Sequence, residues 1–133
     1  MKLYRSILLD QDEDINTNNI GNSWTLCEIF AENHANDINR CLGKDGIVIL
    51  STEVSEDMID MDNTLFAMEK RGYEYEVVIN GAISCNVHLV DGIDFDEDQI
   101  IVGETGSNDF EDYTNNYDGE LTSVSFLSLA SEF

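Results

Sequence analysis

The chain contains no proline among its 133 residues, and no low-complexity segment or internal repeat interrupts it. These absences exclude a flexible linker between domains and a repeat array. Since 42% of the residues are hydrophobic, the chain is long and apolar enough to bury a core of its own. We therefore expect a single domain over residues 1–133.

Basic residues are scarce. Six Lys and Arg stand against 28 Asp and Glu, which gives a formal net charge of -22, and Arg71 is the last basic residue of the sequence. Small domains ordinarily carry about 2 to 8 net charges. A field of this size repels nucleic acid and membrane surfaces and attracts basic proteins, so it excludes the first two partners and predicts the third. A halophile's surface, or simple solubility, would also give an acidic composition.

Long hydrophobic runs are missing as well. No apolar stretch approaches the roughly 20 residues that span a bilayer. The first fifteen residues turn acidic at Asp10, too early for the apolar region of a secretory signal. We therefore expect a cytoplasmic protein without a membrane segment.

The cysteines and histidines do not form a metal-binding pattern. No CxxC pair occurs, and an odd number of widely spaced cysteines argues against both a disulfide framework and a zinc site. A calcium loop begun at Asp94 would lack the glycine and the bidentate glutamate that such loops require. We expect no metal, and five reduced or neutral core residues: Cys27, Cys41, Cys85, His34 and His88.

Hydrophobic patterning predicts an α+β fold. Four apolar runs have the length and composition of strands: "KLYRSILL", "GIVILSTEV", "YEYEVVI" and "AISCNVHLV". The Asn80-Gly81 pair between the last two predicts a type I′ hairpin. From residue 91 to residue 133, short apolar runs alternate with acidic stretches and predict further strands and loops.

Two helices lie between these strands. Thr25 and Glu28 form a capping-box pattern that opens a helix over about residues 26–42, and Gly43 ends it. Ser55 is expected to cap a second helix over "EDMIDMDNTLFAMEKR".

Three short motifs carry the candidate chemistry. Arg5 lies in the first strand, Ser23-Trp24-Thr25 precedes the first helix, and Glu74-Tyr75-Glu76 opens the strand "YEYEVVI". Residues i and i+2 of a strand share a face, so both carboxylates are expected to project to one side. Each motif also has an ordinary structural interpretation: a surface arginine, helix-capping hydroxyls, and an edge strand protected by charge.

In this order and spacing, the motifs resemble the mono-ADP-ribosyltransferase family of the Arg, Ser-x-Thr, Glu-x-Glu type. The resemblance covers about residues 3–90 and implies small antiparallel β-sheets with flanking helices around an NAD cleft. Ser6 departs from the glycine that usually follows the strand arginine. Trp24, in the NAD-binding segment, is bulkier than usual and fits the core better than nicotinamide stacking. The acidic residues 91–133 exceed the family fold.

The resemblance implies an enzyme that uses NAD. Glu76 would stabilise the positive charge that develops on the ribose when the bond to nicotinamide breaks. Glu74 would orient the guanidinium of an acceptor arginine, and Arg5 would bind a phosphate of NAD. Ser23 would hydrogen-bond Glu76, and Thr25 would support the same strand edge.

Charge and resemblance together predict mono-ADP-ribosylation of a basic, nucleic-acid-binding protein. A phage-like or toxin-like member that inhibits a defence system in the host cytoplasm would fit by analogy. The alternative is a non-enzymatic inhibitor whose carboxylates mimic nucleic acid and block a basic groove. A third possibility is a family fold that binds without catalysis. An enzyme depends on Glu76 alone, whereas a mimic spreads its binding over many carboxylates.

Overall fold

Six strands and three helices make up the part of the chain that the computed structural model describes, residues 1–17, 20–102 and 119–133. Two short 3-10 helices, Glu56–Met58 and Gly72–Glu74, accompany them. In chain order, the strands and helices are β1 Lys2–Leu9, β2 Ser23–Thr25, α1 Glu28–Leu42, β3 Gly46–Glu53, α2 Met61–Lys70, β4 Glu76–Val78, β5 Ile83–Asp91, β6 Gln99–Val102 and α3 Ser123–Ala130.

The strands form one antiparallel sheet in the order β4-β2-β1-β3-β5-β6. The predicted α+β class is confirmed, but a single six-stranded sheet replaces the several small sheets that were expected. The pair β1 and β3 runs in unbroken register from Lys2 opposite Glu53 to Leu9 opposite Gly46. Because β3 is apolar on both faces, it lies in the middle of the sheet and is buried from Gly46 to Thr52.

Helices cover both faces of the sheet. On one face, α2 and α3 contribute Leu65 and Phe126 to the main core, the large buried cluster that also contains Leu3, Leu50, Trp24 and Val77. On the other face, Ala35 of α1 packs on Ile47 and Ile49 of β3. The small side chain of Ala35 lets α1 approach the sheet closely. The α1 face also carries Ser23, Thr25 and Glu76 of the predicted site, in register with Tyr4.

The predicted hairpin at Asn80-Gly81 is wrong. Strands β4 and β5 are separated in the sheet by β2, β1 and β3. A type I′ turn needs positive φ at both central residues, but of this pair only Gly81 has one, at 89°. The chain after β4 is instead tied to an earlier segment, because Asn80 N donates to Met58 O at 2.8 Å and Ile79 bridges to Ile59.

The predicted capping box of the first helix is also wrong. The N-cap of α1 is Cys27, whose Sγ accepts a hydrogen bond from Phe30 N at 3.4 Å. Thr25 cannot cap the helix because it belongs to β2 and donates to the backbone oxygen of Glu74 at 2.7 Å. The end of the helix is as expected, with Gly43 in the left-handed conformation at φ 67°.

The second predicted helix is broken into two pieces. Residues Glu56–Met58 form a 3-10 helix without a cap from the Ser55 side chain, and α2 begins only at Met61. Asp60 is the true N-cap, since its carboxylate accepts from Asn63 N. The break occurs because Asp60 N donates to Val78 O, which ties this segment to β4.

The C-terminal part of the chain follows the prediction only partly. The run "QIIV" is β6, as expected. The run "LTSVSFLSLA" forms α3 in place of a strand, because Thr122 and Ser125 make a reciprocal capping box. The predicted acidic strands and loops at residues 103–118 lie outside the described residues.

Only one of the five expected core residues is fully buried. Cys85 is 1% exposed, and its burial raises the pKa of its thiol to about 11. Cys41 is exposed, Cys27 is partly buried, and none of the three forms a disulfide. His34 and His88 are exposed. The His34 ring stacks on Phe30, and His88 Nε2 lies 2.6 Å from Glu28 Oε1.

In the ranges that the structure describes, no helix is both long and apolar enough to cross a membrane.

A close contact between two turns fixes the end of the β3–β5 pair. Gly92 has φ 84°, and a Cβ built on it would lie 2.6 Å from Asp45 O. We expect Gly92→Ala to lower the free energy of unfolding by about 2 to 4 kcal/mol, because left-handed strain adds to overpacking. Urea denaturation measures this difference.

Gly72→Ala is the matched control, since a Cβ at Gly72 meets no atom within 4 Å and its φ is not positive. We expect that variant to remain within about 0.5 kcal/mol of the wild type. Equal stability of the two variants would contradict the packing of Gly92 against Asp45.

Candidate active site

A cleft of about 690 Å³ is bounded by α1, β1, β2 and the segment from Arg71 to Glu76. Its volume is within the range of about 300 to 1,000 Å³ that is usual for ligand pockets. All of the residues that the sequence motifs single out line this cleft, although they come from distant parts of the chain: Arg5, Ser23, Trp24, Thr25, Glu74 and Glu76.

Strand register places the polar groups in a row. Tyr4 of β1 is opposite Thr25 of β2, and Thr25 is opposite Glu76 of β4. Opposite residues of an antiparallel pair share a face, with Cβ atoms about 4.5 to 5.5 Å apart. Ser23 shares this face but is opposite Val78, so Thr25 is the direct cross-strand neighbour of Glu76, in the place that the sequence assigned to Ser23.

Arg5 links β1 to β2. Tyr4 and Thr25 are the one register pair that the described residues show between these strands. Beyond that pair, Nη1 of Arg5 donates to the backbone oxygen of Ser23. The half-buried guanidinium therefore lies in the wall of the cleft, next to the β2 residues of the second motif.

The prediction that Glu74 and Glu76 lie on one strand is wrong. Glu74 ends a 3-10 helix, Tyr75 has a left-handed φ of 48°, and β4 begins at Glu76. The backbone is held in this shape by the end of β2, because Thr25 Oγ1 donates to Glu74 O and Leu26 N donates to Tyr75 O at 3.0 Å. Both glutamates nevertheless line the cleft.

The two carboxylates converge on Arg71, which the sequence motifs do not include. Arg71 Nε is 3.3 Å from Glu74 Oε2, and Arg71 Nη2 is 3.6 Å from Glu76 Oε1. The Glu76 side chain is only 11% exposed, and a carboxylate so buried requires a compensating charge or hydrogen bonds. A signal for Arg71 was present, since it is the last basic residue and stands three positions before Glu74.

Aromatic rings form part of the opposite wall. Phe30 and His34 stack with ring centroids 5.3 Å apart and an interplanar angle of 22°. Both line the cleft, as does Tyr4. Phe30 and His34 are four residues apart, which places both on one side of α1. This spacing was visible in the sequence, but it indicated a core face and not a cleft wall.

Trp24 belongs to both the core and the cleft wall. It is 2% exposed, packs in the main core, and is opposite Val77 in the sheet. Its indole Nε1 is buried and has no hydrogen-bond partner among the residues that the structure describes. The core position agrees with the sequence analysis, which favoured packing over stacking for this residue.

Chemically, the cleft combines a cation, hydroxyl groups, aromatic faces and a pair of carboxylates. The described ranges contain no group of three or more side chains placed to hold a metal ion. Comparison with known proteins finds no family model, no curated protein and no solved structure that matches the chain. The residues of the cleft are therefore the basis for assigning a function.

Trp24 is the only tryptophan of the chain, so its fluorescence reports on this wall of the cleft. Because it is 2% exposed, we expect emission at a shorter wavelength than in the unfolded protein and weak quenching by acrylamide. A neutral quencher is required, since a protein of charge -22 would repel iodide whether or not the ring is buried.

The variant Trp24→Phe gives the tyrosine background for this measurement. Quenching in the native protein as efficient as that in guanidinium chloride would contradict the buried position of the ring.

Proposed function

We propose that this protein is an NAD-dependent mono-ADP-ribosyltransferase that modifies a basic protein, and that its fold is of the ADP-ribosyltransferase type. The observation that supports the proposal is the convergence of the Arg, Ser-x-Thr and Glu-x-Glu motifs on one cleft. Their resemblance to the family rested on order and spacing alone, which would not require them to meet in space. The chemistry of the cleft also fits the parts of NAD.

The cleft offers a group for each chemical part of the substrate. The planar guanidinium of Arg5 presents donors suited to a pyrophosphate oxygen. The stacked rings of Phe30 and His34 provide an aromatic face for a planar base. The hydroxyl of Ser23 stands on the sheet face of Glu76 and would hydrogen-bond the ribose. The hydroxyl of Thr25 supports the strand edge through its bond to Glu74 O.

Glu76 has the properties of a charge-stabilising carboxylate. The whole residue is 8% exposed, and its backbone is fixed by pairing with Thr25. The carboxylate therefore needs little reorganisation when positive charge develops on a sugar. Such electrostatic stabilisation is the main requirement for breaking a bond to an anomeric carbon. Glu74 is more exposed at 19% of its side chain, which suits contact with the acceptor arginine.

The charge of the surface supports a basic protein target. The loop between β5 and β6 exposes four carboxylates in five residues: Asp94, Asp96, Glu97 and Asp98. A surface of this kind attracts cationic proteins and raises their association rate. The loop itself does not line the cleft, since β5 and β6 lie at the other edge of the sheet from β2 and β4. We infer a target whose basic face normally holds nucleic acid, reached in the cytoplasm, and in a host cell if the protein is phage-like or toxin-like.

The same acidic loop favours a second candidate function, a non-enzymatic inhibitor that mimics nucleic acid. Its carboxylates would replace phosphates in a basic groove, with release of counterions. This function needs neither NAD nor the buried Glu76. Substitution of Glu76 therefore separates the two.

We expect Glu76→Gln to reduce transfer of ADP-ribose by about 10²- to 10³-fold, because the amide nearly matches the shape of the carboxylate but lacks its charge. The measurement follows label from NAD onto proteins of a cell lysate. Glu97→Gln is the matched control, since it removes the same charge from an exposed loop position.

Retention of transfer by Glu76→Gln would contradict the enzymatic role of this residue. Absence of labelling in the wild type, together with tight salt-dependent binding to a basic protein, would favour the acidic inhibitor.

A further inference from the structure

Arg71 is held at the rim of the cleft by its backbone. Its N–H donates to Ala67 O at 2.8 Å and closes the last turn of α2, and its carbonyl oxygen accepts from Glu74 N at 3.0 Å. These two bonds fix where the side chain starts. The side chain itself is 40% exposed, so it is anchored at its base and accessible at its tip.

The guanidinium of Arg71 spans two carboxylates. Nε lies 3.3 Å from Glu74 Oε2 and Nη2 lies 3.6 Å from Glu76 Oε1, so different edges of the fork face different acids. Both are charge contacts and not hydrogen bonds, since Nε is buried without a hydrogen-bond partner among the described residues and 3.6 Å is too long. A planar guanidinium suits this arrangement, whereas a lysine ammonium is a point charge. Arg5 and Arg71 are the only basic side chains lining the cleft among the described residues, and Arg5 donates to β2.

We propose that Arg71 is a built-in occupant of the guanidinium position formed by Glu74 and Glu76, and that an arginine of the basic partner displaces it. The consequence for catalysis rests on the proposed function, in which Glu76 must face the ribose and Glu74 the acceptor. While Arg71 bridges both carboxylates, it competes for these two roles. The isolated protein is therefore held back until a partner arginine enters.

Exchange of one guanidinium for another is feasible on physical grounds. Without NAD, the incoming arginine pairs with the same two carboxylates, so the charge of Glu76 stays compensated. When NAD is bound, the arginine keeps Glu74, and Glu76 faces the ribose. The departing Arg71 side chain is already 40% exposed and moves toward water. Because the internal group is tethered, its effective concentration is high, and it weakens the apparent affinity of any external guanidinium.

The test uses a small guanidinium probe without NAD. N-acetyl-arginine amide is titrated into the full chain and followed by calorimetry and by amide NMR shifts of residues 71–76. If Arg71 occupies the position about nine-tenths of the time, Arg71→Gln should bind the probe about tenfold more tightly than the wild type. N-acetyl-lysine amide should gain much less, since it lacks the fork.

Arg40→Gln is the matched control. Arg40 lies on α1, is 80% exposed and pairs with Asp37, so its loss changes the net charge equally without changing the cleft. We expect probe affinity within about twofold of the wild type. Adding Glu74→Gln to Arg71→Gln should abolish the gain.

Unchanged or weaker probe binding by a folded Arg71→Gln variant overturns the proposal. Thermal unfolding reports whether Arg71→Gln is folded. If it is not, Arg71→Lys is tested in its place, because lysine keeps the charge but not the fork. Absence of a gain in probe affinity for Arg71→Lys also overturns the proposal. NAD affinity is measured separately. Absence of NAD binding by the wild type would refute the enzymatic function and leave the displacement intact. Unchanged probe affinity of Arg71→Gln would refute only the displacement.

Discussion

The antiparallel pairing of β2 with β4 positions the groups on which the candidate site depends. It sets Thr25 opposite Glu76, and the end of β2 captures the two residues before that strand, through Thr25 Oγ1 to Glu74 O and Leu26 N to Tyr75 O. Thr25 and the next residue, Leu26, therefore determine where the backbone of both glutamates lies. The other side of β2 meets β1 at Tyr4, which brings Arg5 to the same cleft.

Charge imposes a second constraint on this arrangement. In a chain of net charge -22, few cations are present to pair with a nearly buried carboxylate such as that of Glu76. Arg71, one of only six Lys and Arg residues, forms ion pairs with both Glu74 and Glu76. Desolvation of the Glu76 carboxylate costs free energy, and buried ion pairs contribute little net stabilisation. A chemical role therefore explains this glutamate better than a contribution to stability does.

The parts of the fold that sequence predicts are those with local causes. The apolar runs at β1, β3 and β5 and the left-handed Gly43 each carry their own signal. Long-range hydrogen bonds decided the rest. The capping role expected of Thr25 was lost to its bond with Glu74 O, and the hairpin expected at Asn80 was lost to its bond with Met58 O.

The residues of the candidate site also divide into those that the sequence predicted and those that long-range contacts brought in. The six motif residues were found because a family resemblance linked segments that composition alone could not, and their presence in one cleft is a structural fact, while their roles stay predictions. Arg71 was missed because its contact with Glu74 depends on the 3-10 helix before β4, which replaced the start of a predicted strand. His34 was missed because helical spacing does not distinguish a core face from a cleft wall.

An NAD titration of the labelled protein, read by backbone amide NMR, tests the central claim most directly. We expect saturable shifts at NAD concentrations below about 1 mM, centred on Arg5, Ser23–Thr25, His34 and Glu76, and much weaker binding by Arg5→Ala. Absence of shifts in the cleft at that concentration, or equal affinity of Arg5→Ala, would contradict it.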